Sequence, residues 1–175
     1  MLDAEWESLF NRWLGEYGGA VLKVARAYTL TTEDRQDLAQ EILLQVWSSL
    51  PQFQARASAS TWVYRVALNT ALSWNHKERR RQSRQRPIFE VEDVSIADPP
   101  SHEQVAQRDA VERLYGAIHE LPKADAALVL LYLDGLSYRD MAEVLGISES
   151  NVGVKLNRAR RALSALMKEE CYGPR

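Results

Sequence analysis

Between Asn151 and Arg161 the chain carries Lys155, Arg158, Arg160 and Arg161 and no acid. Cations grouped this way neutralise phosphates, giving affinity that falls with salt and carries no sequence information. Asn151 and Asn157 lie in the same stretch, and an amide offers a donor and an acceptor to a base edge. At about 100° per residue, Ser150, Asn151, Val154, Asn157, Arg158 and Arg161 share one helix face, with Lys155 beside it. The opposite face repeats Val152, Leu156, Ala159, Leu163 and Met167. Such a helix has one side for a core and one for phosphates and base edges. A second basic run, His76 to Arg86, holds six Lys/Arg against one Glu. From Pro87 to Glu103 there are five acids and no Lys or Arg. The net charge of −2 thus conceals two basic patches with an acidic segment between them. One basic run is commonly just a solvated face; two, one of them on this helix, point to nucleic acid.

Covalent chemistry lacks its parts. There is no Gly-rich phosphate loop, no His/Cys metal spacing and no nucleophile–base pair. His76, His102 and His119 are scattered and expected to face solvent, so neither enzyme activity, metal nor cofactor is expected. The single cysteine, Cys171, cannot form an internal disulfide, which suits a cytoplasmic protein. No apolar run is long enough to span a membrane, and the first residues do not read as a signal peptide.

The elements that position these residues read as helices throughout. Trp6, Leu9, Phe10, Trp13, Leu14 and Tyr17 recur at helical spacing, and Gly18-Gly19 predicts a break or bend before Val21 to Tyr28. Thr31-Thr32 caps the next helix, whose stripe is Leu38, Ile42, Val46 and Leu50, with Pro51 as its stop. Residues 52–60 read as a loop, and a helix restarts at Ser60 or Thr61. Residues 87–100, PIFEVEDVSIADPP, have no helical period and hold three prolines, so they read as an acidic linker between two small helical domains. Ser101-x-x-Gln104 is a capping box for a helix that ends before Pro122. Ala126 to Leu133 forms a short apolar helix ended by Gly135. The expected fold is all-α.

Residues 137–163 read as a helix-turn-helix. Ser137-x-x-Asp140 caps YRDMAEVL, in which Met141, Ala142 and Leu145 face inward. Gly146 stands where a left-handed C-cap is needed, Ile147 plugs the turn and Ser148 caps the second helix. Ala142, Gly146 and Val152 have the spacing this packing demands. Gly153 inside the second helix either allows close approach to DNA or is merely tolerated, at about 1 kcal/mol against Ala.

Three segments then combine: DLAQE followed by ILLQVW, TWVYRVALN, and the C-terminal ELP…LVLLYLDGLSYRDMAEVLGIS…NVGVKLNRARRAL. Together they resemble bacterial RNA polymerase sigma factors of the extracytoplasmic-function group, over nearly the whole chain apart from the linker and the extreme ends. The resemblance implies that residues 1–86 form a domain for core polymerase and the minus-10 element. It implies that residues 101–175 read the minus-35 element through Ser150, Asn151, Val154, Lys155, Asn157, Arg158 and Arg161, with 87–100 as linker. Asp37, Gln40, Glu41 and Gln45 share a polar face opposite Leu38, Ile42 and Val46. By themselves they read as a solvated face; the resemblance makes them the dock for the polymerase β′ coiled coil. It also implies contact of the C-terminal domain with the β flap, and an anti-sigma partner.

For the minus-10 element the resemblance points to the loop 52–60 and the next helix: Arg56, Trp62, Arg65, Asn69, Ser73, Lys77, Arg80 and Arg81. Within the family a base flips into a pocket at this loop, and Asn69 aligns near it. Asn69 can bind a base edge or cap local backbone, and Trp62 can stack on a base or belong to the core. Lys77, Arg79, Arg80 and Arg81 suit phosphates. The acidic linker is either a tether or a nucleic-acid mimic near the RNA exit path. Two rivals remain, a stand-alone regulator with a similar helix-turn-helix and a pure interaction protein, and co-purification with core polymerase separates them. Weak free-standing DNA affinity is expected from the small patches, with polymerase holding both domains in place.

Overall fold

The computed structural model describes residues 2–82 and 102–172, with side chains described for 4–74 and 106–168. Seven α-helices lie within those residues: α1 Leu2–Tyr28, α2 Thr32–Ser49, α3 Ala59–Gln82, α4 His102–Glu120, α5 Lys123–Leu133, α6 Tyr138–Leu145 and α7 Glu149–Tyr172. A 3-10 turn, Leu50–Gln52, follows α2. No strand occurs among the described residues, and the all-α expectation holds. The linker 87–100 and the cap residue Ser101 lie outside the described residues.

Of the break or bend expected at Gly18-Gly19, the break does not occur: α1 is one continuous helix through both glycines. Two glycines weaken a helix by about 1 kcal/mol each, but this helix does not stand alone. Trp13, Val21, Val24, Ala25 and Tyr28 are buried against α2 and α3, and that apolar stripe outweighs the local cost. Thr31 caps α2 as expected, its side chain accepting from the Asp34 amide. Leu38, Ile42, Val46 and Leu50 are buried. α3 begins slightly earlier than expected, because Ser58 accepts from the Thr61 amide at 3.1 Å and so caps the helix.

α1, α2 and α3 pack on one another, and α7 carries α4, α5 and α6 in the second half. α5 is apolar on nearly all sides, with residues 125–131 all buried, so it is the axis of that half. The two halves also meet, α3 against α6 and α1 against α4 and α5, and their buried residues join in one cluster. At this seam Lys23 and Tyr64 both donate to the Asp134 carboxylate. Tyr28 donates to the Lys123 carbonyl at 2.8 Å. Arg26 reaches Glu112 and lies 4.3 Å from the centre of the Tyr115 ring. Burial, and then the bond to Asp134, push the Tyr64 hydroxyl's pKa well up, so it stays a donor at neutral pH. His119 is half-buried, not solvent-facing as its isolation in the sequence suggested. Burial, and then the Lys123 charge, lower its pKa. His76 and His102 lie outside the described side chains.

Candidate nucleic-acid interface

The turn between α6 and α7 is built from local bonds. Ser137 accepts from the Asp140 amide at 3.1 Å. Gly146 takes φ 67°, the left-handed conformation a C-cap needs. The Ile147 amide returns to the Ala142 carbonyl at 3.1 Å. Ser148 accepts from the Asn151 amide at 3.3 Å, opening α7. Met141, Val152, Leu156 and Ala159 are fully buried, which orients α7. Its other side then presents Ser150, Asn151, Val154, Lys155, Asn157, Arg158 and Arg161, all exposed, so the sequence-predicted face is assembled as a unit.

Two residues on α7 behave differently from the simple wheel. Arg158 donates through Nη2 to both oxygens of Asp125, at 3.0 and 3.3 Å. That carboxylate is buried in the first turn of α5, so the guanidinium is anchored at one corner while most of its side chain stays exposed. Arg160 instead lies 4.9 Å from the centre of the Tyr132 ring. Gly153 faces Tyr138: an added Cβ would meet the ring at 3.5 Å, ordinary contact. An alanine fits there, whereas a longer side chain has to move the tyrosine.

The minus-10 candidates divide into two places along α3. Phe53, Arg56, Trp62 and Arg65 line an open cavity of about 620 Å3 at the loop after α2. Ala55 in that loop takes φ 53°, a left-handed conformation that costs a residue with a Cβ about 1–2 kcal/mol. Trp62 is half-buried and packs edge-on to Phe53 at 5.6 Å. Its indole N–H is buried and meets no acceptor among the described residues. Trp62 therefore both packs on the core and lines the cavity. The cavity has a wall from the other half of the chain, Glu143 of α6, and Arg65 donates to the Glu143 carbonyl at 2.6 Å.

Asn69 and Ser73 are not in that cavity. They line a second groove of about 410 Å3 with Glu41, Gln45, Thr70 and Trp74. Asn69 follows Trp62 by seven residues, roughly 10 Å along the same helix face, so the two sites succeed one another along a track. The side chains of Lys77, Arg80 and Arg81 lie outside the described residues.

On α2, Asp37, Gln40 and Gln45 are exposed and Glu41 is half-buried. Gln45 donates to Glu41 at 3.0 Å, which fixes both side chains. Leu44 and Trp47 are also exposed, at 61% and 41%, and Trp47 packs edge-on to Phe10 at 5.3 Å. Both fall off the buried Leu38, Ile42, Val46 stripe, so helical spacing alone places them outward.

Comparison with known proteins uses the same segments. Residues 13–84 match the family "Sigma-70 region 2" and residues 111–163 match "Sigma-70, region 4". The ECF RNA polymerase sigma factor SigM of Mycobacterium tuberculosis is 32% identical over 147 residues, covering 83% of this chain and 70% of SigM. The chain belongs to the sigma-70 family, in its extracytoplasmic-function group. This sigma factor is also 28% identical over 163 residues to the ECF RNA polymerase sigma-E factor of Haemophilus influenzae, covering 88% of the chain and 85% of that relative. In fold it matches the sigma factor RpoE of Bartonella quintana, solved with the anti-sigma factor NepR, at TM-score 0.70 and 22% identity over 91% of this chain and 96% of that one. It also matches CnrH, solved with the cytosolic domain of CnrY, at TM-score 0.66 and 22% identity over 93% and 89% of the two chains. As a sigma factor it directs promoter-specific transcription initiation by RNA polymerase. Members of this family act as initiation factors rather than catalysts.

Proposed function

We propose a division of labour within this sigma factor. Residues 1–86 dock on core polymerase and melt and hold the minus-10 element, 87–100 tether the halves, and 101–175 read the minus-35 element. The observation that carries this is α7, on which Ser150, Asn151, Val154, Lys155, Asn157, Arg158 and Arg161 form one exposed face after a capped and glycine-terminated turn. Asn151 and Asn157 supply base-edge contacts; Lys155, Arg158 and Arg161 hold phosphates. Arg56, Trp62 and Arg65 receive an unstacked base in the loop cavity, and Asn69 and Ser73 follow the strand along α3. Lys77, Arg80 and Arg81 continue it with phosphate contacts. Asp37, Gln40, Glu41 and Gln45, with Leu44 and Trp47 beside them, form the β′ coiled-coil dock, and the C-terminal half meets the β flap.

The seam bears on this reading. Glu143 walls the loop cavity and its carbonyl occupies Arg65, so loading a strand there parts α6 from α3. A partner that holds the halves together would keep the factor inactive. RpoE of Bartonella quintana was solved with the anti-sigma factor NepR and CnrH with the cytosolic domain of CnrY, and we place this chain under an anti-sigma factor too. No helix among the described residues is long and apolar enough to cross a membrane. The proposed site of action is the cytoplasm, where the polymerase works.

Run-off transcription with core polymerase on a promoter library tests the whole reading. The expected result is start-site selection governed by both elements. Core polymerase that starts identically with and without the protein rejects it.

A further inference from the structure

Val154 is 72% exposed, while Val152, two residues earlier, is fully buried. Single apolar residues at a surface are common, so exposure alone decides nothing here. Position decides. Among the seven residues assigned to the DNA-facing side of α7, Val154 alone is apolar. Ser150 lies one turn before it, and Asn157 and Arg158 one turn after it, so it occupies the middle of the polar face. Its neighbour Gly153 has no side chain to shield it. A β-branched residue on a helix is held in one dominant rotamer, so its two methyl groups form a rigid apolar bump. It has no donor or acceptor and gains nothing from a phosphate or a polar base edge. The floor of the major groove carries one apolar group, the C5-methyl of thymine.

We propose that Val154 is a specificity-determining residue that packs on the C5-methyl of one thymine in the minus-35 element. This rests on the reading of α7 as the minus-35 helix. The flanking amides then read hydrogen-bonding edges, while Val154 reads shape.

The test replaces thymine by uracil, which removes that methyl and changes no hydrogen-bonding group. Holoenzyme assembled from core polymerase and the full chain is measured on a promoter it selects from a minus-35 library. Each thymine of the element is replaced in turn. At one position the wild type is expected to lose about fourfold in promoter affinity, the equivalent of burying one methyl-sized group at ~0.8 kcal/mol. Val154→Ala should show a comparable loss on the thymine promoter and no further loss on the uracil promoter at that position. Val154→Thr, which keeps one methyl, should fall between them. Melting curves of both variants check that the fold is intact.

Losses that multiply at every position, a variant indistinguishable from wild type, or a selected element without thymine each overturn the proposal. Failure of the underlying reading looks different: wild-type holoenzyme then shows no minus-35 preference at all, before any variant is measured.

Discussion

The two surfaces assigned to DNA differ in how much of the protein's own structure lies on them. The outward face of α7 is touched by the rest of the second half where Arg158 meets Asp125 and where Ser150 meets Ser148. The loop cavity beside α3 is instead bordered by the opposite half, with Glu143 as a wall and Arg65 already hydrogen-bonded. Both are polar, both carry arginine, and sequence gives them similar standing. On the proposed reading the halves are not equally ready: the α7 face is complete in the packed arrangement, whereas the loop cavity shares a wall and a hydrogen bond with the opposite half.

Locking the seam puts the greatest strain on this comparison. In a Cys171→Ser background, Tyr64→Cys and Asp134→Cys joined by a reductant-cleavable thiol crosslinker, because the hydroxyl-to-carboxylate contact spans too far for a direct disulfide, should abolish run-off transcription, and reductant should restore it. Full activity of the crosslinked protein means that the cavity works with the seam shut. Next in size, Asp37→Ala with Gln40→Ala should release core polymerase in a pull-down, because the proposed docking face lies on α2, away from the seam contacts. Retained binding removes that assignment.

On the open face, Asn157→Ala should change the ranking of minus-35 sequences by about 1–3 kcal/mol and leave the melting temperature alone. Arg158→Ala should weaken promoter use and also destabilise the fold by about 1 kcal/mol, since Asp125 loses its partner, the exposure of the guanidinium keeping the cost low. Equal melting curves for the two variants would show that the ion pair contributes nothing to stability. Gly153→Ala should raise stability by about 0.5–1 kcal/mol, because the site is helical and a Cβ fits against Tyr138. Promoter use should stay unchanged; a drop would mean that DNA needs the bare backbone.

The smallest expected effect is of pH. The pKa of His119 lies below its ordinary 6.5, chiefly through burial. The unfolded chain therefore binds more protons than the folded one in that window, and stability rises with pH through it. The melting temperature should fall on acidification below about pH 6.5, and His119→Gln should flatten that fall.

The helix-turn-helix could be read almost entirely in advance, because each of its features is local. Ser137 and Ser148 cap residues three positions ahead of them, and Gly146 turns the chain at its own dihedral angles. Gly18-Gly19 misled for the converse reason. Its local cost is real, and burial against distant helices overrides it. Asn69 was expected beside the loop and stands a groove further on, since a shared face does not state distance along the axis.

By itself the sequence determined most of the helices, the Thr31, Ser137 and Ser148 caps, the α7 face and, through the combined motifs, the family. Helical period and capping act over a few residues, so spacing alone reports them. Tertiary structure decided which of those side chains are already engaged. Arg65 meets the Glu143 carbonyl across 78 positions of chain and Tyr64 meets Asp134 across 70. Asp125 holds Arg158 across 33. Such partners are chosen by how apolar stripes pack, and no short-range spacing encodes that choice.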